Sequence, residues 1–198
     1  MVDDGSTDDT PAILRRWQDG GRERIVLSQS NRGKGSAIRA AIPHIDGDIA
    51  LIQDADVEYD PVDVPALIEP IEQGVADVVF GSRLTGGRPR RAYLFWHLVG
   101  NRFLSLVTNV LYNTTLHDME TGCKAFRADV LRSLDLRQDD FAIEPEITAK
   151  VCLLGLRIYE LPIAYYGRTY ADGKKITWRD GFKALFVLFA VRVGPRRR

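Results

Sequence analysis

This chain has little cysteine, little histidine and no excess of either charge, and each scarcity removes a class of function. The two cysteines, Cys123 and Cys152, stand in apolar stretches with no metal-ligand spacing. They read as reduced packing residues of a protein from a cytosolic compartment. The three histidines, His44, His97 and His117, have no ligand spacing among themselves and read as structural or surface groups. Basic and acidic residues number 27 each, so the formal net charge is zero and nothing global suggests a nucleic-acid partner. The first residues are acidic, where a signal peptide would be basic and then apolar. There is no internal repeat and no low-complexity linker, and 198 residues suffice for one substantial core while being short for two. We read one domain, 1–198.

What the chain does have is a rhythm. An apolar stub ends in Asp3-Asp4-Gly5-Ser6. Thr10 followed by Pro11 opens a helix that Gly20-Gly21 closes. Strand patterns follow at 25–27, 49–53 and 76–80, separated by helix patterns at 34–42 and 62–73. Such alternation argues for an α/β fold with a central, mostly parallel sheet covered by helices. Ligands of such sheets bind beyond the carboxyl ends of the strands. Asp3-Asp4, residues 31–35, Asp54 with Asp56, and Gly81-Ser82-Arg83 all follow strands and would share that rim. The second half reads differently: a long apolar helix at 93–112, an acidic and then basic stretch at 118–127, a helix at 144–154, a strand pattern at 157–166, and an apolar helix at 178–193 before an arginine tail.

The chemistry centres on acids. Asp54, Asp56 and Glu58 follow the apolar run 49–52 at steps of two, which on an extended chain would put all three on one side. Converging carboxylate oxygens suit a hard divalent cation. Such an ion, bridging a diphosphate, neutralises the charge that develops as a nucleoside diphosphate departs. Arg83, after Gly-Ser on the same rim, offers a forked guanidinium that grips phosphate bidentately. Arg102 is the one arginine in the long apolar helix, and Arg168 with Lys174-Lys175 forms a late basic group. Asp118 and Glu120 are a second acidic pair.

These motifs together resemble the family 2 glycosyltransferases. The segments Val2-Asp3-Asp4-Gly5-Ser6-Thr7, Asn31-Arg32-Gly33-Lys34-Gly35-Ser36-Ala37 and Asp54-Ala55-Asp56-Val57-Glu58-Tyr59-Asp60-Pro61 carry the likeness. Gly81-Ser82-Arg83, the stretch 118–127, and Arg168-Thr169-Tyr170 with Gly173-Lys174-Lys175-Ile176 extend it to the branch of dolichol-phosphate mannose synthase and the bacterial polyprenyl-phosphate glycosyltransferases. The resemblance implies a single GT-A type domain, Mg2+ or Mn2+ as cofactor, and an inverting transfer of a hexose. The donor would be a nucleoside-diphosphate sugar of the GDP-mannose or UDP-glucose class, and the acceptor a polyprenyl phosphate. Residues 1–92 would hold the donor and 93–198 the acceptor. Asp3, Asp4, Gly33, Lys34 and Asp54 would bind the donor, and Asp54, Asp56 and Glu58 the metal. Arg83, Arg102, Arg168 and Lys174 would bind the acceptor or phosphates, with Asp56, Arg83 and Asp118 as the catalytic group.

In family members with hydroxyl acceptors an acid in the acceptor region removes a proton. A phosphate acceptor is already anionic, so Asp118 and Glu120 read instead as orienting Arg83 or Arg102. A saccharide acceptor is the alternative. A sugar-1-phosphate nucleotidyltransferase would open on a glycine-rich basic loop, which is missing here. The family begins with an additional strand and helix before Asp-Asp-Gly-Ser, so by resemblance this chain lacks its first β-α unit, and an inactive nucleotide-binding remnant is a further alternative. The two apolar helices carry Trp96, Trp178 and several phenylalanines near the basic tail. That composition suits an interfacial helix on anionic lipid, and implies peripheral attachment to the cytoplasmic face of a membrane rather than a span.

Overall fold

The computed structural model describes residues 1–92, 94–168 and 178–194. Lys174, Lys175 and the arginines at 196–198 lie outside them. Six strands and seven α-helices follow one another among the described residues: β1 (Val2–Asp4), α1 (Thr10–Asp19), β2 (Leu27–Gln29), α2 (Lys34–Ala41), β3 (Ile49–Ile52), α3 (Val64–Glu72), β4 (Val78–Ser82), α4 (Phe95–Tyr112), β5 (Lys124–Arg127), α5 (Ala128–Ser133), α6 (Ile143–Leu153), β6 (Ile158–Pro162) and α7 (Trp178–Val193).

The main sheet has the order β3-β5-β4-β6. β4 and β6 run parallel, while β5 opposes both β3 and β4, so three of the four strands share one direction. β1 and β2 form a separate parallel pair, with Asp3 opposite Ser28 and Asp4 opposite Gln29. β5 was not foreseen. Its four residues, Lys-Ala-Phe-Arg, show no run of β-branched side chains, yet they lie between β3 and β4 in the centre of the sheet.

Period-two alternation divides the core between the two faces of the sheet. Val78 and Phe80 of β4 join Phe126 of β5 in a cluster with Leu104 of α4, Ile143 and Ile147 of α6 and Leu188 of α7. Val79 and Ala125 face the other way, against Leu67 and Ile71 of α3 and Tyr59, Ile163 and Tyr165. Helices thus cover both faces. At the end of the sheet where β4 and β6 begin, buried Asp77 accepts hydrogen bonds from Arg157 Nη2 at 2.8 Å and Nε at 3.0 Å, and from Arg127 Nη1 at 3.1 Å. These partners, Arg157 above all, hold its carboxyl far below the usual carboxylate range.

The two apolar helices do not bury their apolar sides fully. α4 turns Leu104, Ser105 and Thr108 inward, while Trp96, Val99, Phe103, Leu106 and Val110, at steps of three and four, stay exposed. α7 buries Ala184, Val187 and Leu188 and exposes Trp178, Phe182, Phe186, Phe189 and Val193 with the same periodicity. The two helices meet through the Tyr112 hydroxyl, which donates to the Leu188 carbonyl at 2.6 Å. Arg102 is exposed on α4. Among the described residues no helix is long and apolar enough to cross a membrane. Cys123 and Cys152 are both free thiols, and burial pushes them up to about 12 and about 11.

Candidate active site

A cleft of about 1650 Å³ opens over the ends of β3 and β4 and runs toward α4 and α7. That exceeds the roughly 300–1,000 Å³ of a pocket for one small ligand and leaves room for two substrates. Lys34, Asp54, Asp56, Glu58, Arg83 and Arg168 all line it, so six of the residues singled out in the sequence meet in one place.

The acids do not meet in the way an extended chain would arrange them. β3 ends at Ile52, and residues 55–58 bend and turn, with the Glu58 amide donating to the Asp56 carbonyl. The turn breaks the alternation, and each carboxylate finds its own partner. Asp54 takes Lys34 Nζ at 2.7 Å. Asp56 takes Arg168 Nη2 at 2.8 Å. Glu58 accepts from the Arg168 amide at 2.7 Å and the Tyr165 hydroxyl at 3.0 Å. Among the described residues no three His, Cys, Asp or Glu side chains converge as a metal-binding group. Glu58 thus clamps segment 165–168. Asp56 does suit a divalent cation: its Oδ1 is buried with no hydrogen-bond partner among the described residues. Burial first, then the Glu58 and Asp54 carboxylates, hold its pKa above the usual range.

Lys34 links two parts of the site. Its ammonium contacts Glu144 of α6 at 2.7 Å as well as Asp54. Burial alone would depress it, but the two carboxylates outweigh burial and raise its pKa. Glu144 also pairs with Lys124, a fully buried lysine whose Nζ donates to the carbonyls of Met119 at 3.1 Å and Thr121 at 2.5 Å. Gly122 leaves room for the Asp54–Lys34 pair, because a Cβ there would lie 2.2 Å from Asp54 Oδ2 and 2.9 Å from Lys34 Nζ.

Arg83 is held rigidly. Asp118, with no exposed surface, accepts from its Nε and Nη2 at 2.7 Å each and from its amide at 2.9 Å. The guanidinium also lies over the Tyr165 ring, 5.2 Å from the centroid. Burial would raise the Asp118 carboxyl, but Arg83 keeps it below its usual range.

Asp3, Asp4, Gly33 and Arg102 do not line the cleft. Asp4 holds the 31–35 turn, accepting from the amides of Arg32 at 2.9 Å and Gly33 at 2.7 Å and from Gln29 Nε2 at 2.7 Å. Asp3 accepts from the Ser6 amide at 3.0 Å. The glycines of that turn are needed for packing: a Cβ at Gly35 would fall 2.2 Å from the Gln138 carbonyl oxygen. Residues that sequence reasoning passed over also line the cleft, among them Tyr59, Glu144, Tyr165, Arg90, Arg91 and His97. A lone lysine within the apolar run 123–126 was the available signal that a buried anion such as Glu144 waits opposite.

A family model described as "Glycosyl transferase family 2" matches residues 1–135. The glycosyltransferase AglJ of Haloferax volcanii is 31% identical over 169 residues, 85% of this chain and 54% of that protein. The dolichyl-phosphate hexose transferase of the same organism is 31% identical over 165 residues, 83% of this chain and 68% of that protein. The chain spans about half the length of the first curated relatives it matches, 54% and 43%. Its fold is shared by glucosyl-3-phosphoglycerate synthase from Mycobacterium tuberculosis, solved with Mn2+, UDP-glucose and phosphoglyceric acid, at a TM-score of 0.68 and 20% identity over 98% of this chain and 68% of that one.

Proposed function

Since the chain belongs to glycosyl transferase family 2, we propose that it moves a hexose from a nucleoside-diphosphate sugar to a polyprenyl phosphate, with inversion, at a membrane surface. The observation that carries this reading is the make-up of the cleft. Acids that suit a diphosphate-bound cation, the arginines Arg83, Arg90 and Arg91, and the aromatic side chains of Phe95, Trp96, Trp178 and Phe182 all line it. A phosphate with a long apolar tail matches that combination of surfaces. The likeness to a dolichyl-phosphate hexose transferase supports the same class of acceptor.

Residues 1–92 supply most of the donor side and later residues the acceptor side. Asp54 and Asp56 would hold Mg2+ or Mn2+, and the ion would supply charge neutralisation on the diphosphate. Lys34 and Arg168, already paired with these carboxylates, add positive charge where the leaving group gathers negative charge. Arg83, fixed by Asp118 and lining the cleft, orients the acceptor phosphate. The acceptor oxygen attacks the anomeric carbon from the side opposite the diphosphate; the new C–O bond forms as the old one breaks, and its electron pair leaves with the nucleoside diphosphate. The acceptor brings its own anionic oxygen, so attack requires no protein base. The outward stripes of α4 and α7, bordered by Arg102, Arg179, Lys183 and Arg192, would seat the protein peripherally on anionic lipid of the cytoplasmic leaflet.

The test is nucleotide binding and transfer. UDP and GDP should bind in a Mn2+-dependent manner, a radiolabelled sugar should pass to undecaprenyl phosphate, and Asp54→Ala with Asp56→Ala should abolish the metal-dependent binding. Unchanged nucleotide affinity in the double variant would refute the assignment of these acids.

A further inference from the structure

We propose that Glu120 recognises the acceptor phosphate as a neutral acid, donating its carboxyl O–H to a phosphate oxygen in the cleft; this rests on the phosphate-acceptor reading above. Glu120 lines the cleft, and its Oε1 is buried with no hydrogen-bond partner among the described residues. The neighbouring acids are each matched to a cation: Asp118 to Arg83, Glu144 to Lys34 and Lys124, Asp54 to Lys34, and Asp56 to Arg168. No ion pair of Glu120 occurs among the described residues. A buried carboxyl oxygen left unpaired is costly, and in a ligand cleft the ligand is the natural partner.

The charges around Glu120 decide its form. Glu144 faces it from α6, Lys124 from β5, Arg83 from the end of β4, and Asp118 from its own loop. Burial and then Glu144 push its carboxyl up, against Lys124 and Arg83, to about 7. Both forms are therefore present near neutrality. A phosphate anion arriving beside it disfavours the ionised form and forms a charge-assisted O–H···O hydrogen bond with the neutral one. Binding should then draw in a proton, and affinity should fall as pH rises. From pH 6 to pH 8 the neutral fraction of an acid titrating near 7 drops about tenfold. A proton-abstracting role would require the ionised form and would give the opposite slope.

Isothermal titration calorimetry of the full chain with farnesyl phosphate, in two buffers of different ionisation enthalpy, reads both quantities. The second ionisation of the phosphate contributes equally to every protein variant, so the comparison isolates Glu120. Wild type should take up more protons on binding than Glu120→Gln. It should also lose about tenfold more affinity between pH 6 and pH 8, and Glu120→Gln should bind better than wild type at pH 8. Equal proton uptake and parallel slopes would overturn the proposal alone. Affinity in wild type that rises with pH, together with loss of sugar transfer in Glu120→Gln, would overturn it in favour of a general base. Farnesyl phosphate failing to bind, with Mn2+-dependent nucleotide binding intact, would overturn the phosphate-acceptor reading and this inference with it. Farnesyl methyl phosphate, a diester with no second ionisation, needs no variant: if wild type binds it without taking up protons, the proposal is overturned even where Glu120→Gln does not fold.

Discussion

Replacing Asp118 with alanine is the most severe single test of how the cleft is built. The carboxylate is wholly buried and accepts three hydrogen bonds from Arg83, two from the guanidinium and one from the amide. Its own amide donates to Glu160 at 2.8 Å, so the pair is anchored to β6 as well. Alanine leaves a guanidinium buried without its counter-ion, a loss of about 3–5 kcal/mol. In a chain of this size each kcal/mol moves the melting temperature by about 2–4 °C, so the fall should be about 6–20 °C. The double variant Asp118→Ala with Arg83→Met should recover part of that, since it removes the stranded charge. The sign with pH follows from the lowered carboxyl. A folded pKa below the unfolded value contributes stability that is present above about pH 4 and is lost as pH falls through the folded value. Wild type should therefore lose its advantage over Asp118→Ala in strong acid. The measurement is thermal melting by circular dichroism across pH. If Asp118→Ala melts within a degree or two of wild type at neutral pH, or if the second substitution only adds to the loss, Arg83 is not held by this pair.

Gly35→Ala should destabilise the fold by about 1–3 kcal/mol, because its Cβ would meet backbone at Gln138, with 2.2 Å to the carbonyl oxygen. Gly100→Ala, whose Cβ would meet nothing within 4 Å in the middle of α4, should instead stabilise by about 0.5–1 kcal/mol; chemical denaturation reads both, and equal effects would remove the packing argument. Val110→Glu with Phe186→Glu, at positions 75% and 72% exposed and away from the cleft lining, should leave melting unchanged and reduce flotation with anionic liposomes several-fold. Flotation equal to wild type would mean that the α4 and α7 stripes do not face lipid.

Much of the frame was legible because it rests on local periodicity. The starts of β3, β4, α6 and β6 fall within two residues of expectation, since apolar runs and flanking turn residues mark them. β5 escaped because its stability comes from neighbours on both sides rather than from its own side chains; a fully buried lysine in a strand is stable only when Glu144, far along the chain, is opposite it. The site was legible as a set of residues but not as a set of pairings. Asp54, Asp56 and Arg83 reach the cleft as expected, yet which cation meets which acid depends on the turn at 55–58 and on α6. That Asp3 and Asp4 hold turns was not legible, because turn-holding and ligand-holding acids share one signature, a carboxylate after a strand. Glu120 could be picked out from sequence, but the rise of its carboxyl pKa comes from burial and from Glu144 nearby.

The placement of β5 governs the order in which the molecule can be made. β3 and β4 have no ladder with each other; each pairs with β5, which begins at Lys124. While β3 and β4 leave the ribosome ahead of β5, they are two edges that only β5 can join. Separate edges of that kind are where nascent chains pair with the wrong partner. β4 keeps its second edge open until β6 has followed, so pauses in translation ahead of either strand lengthen exposure.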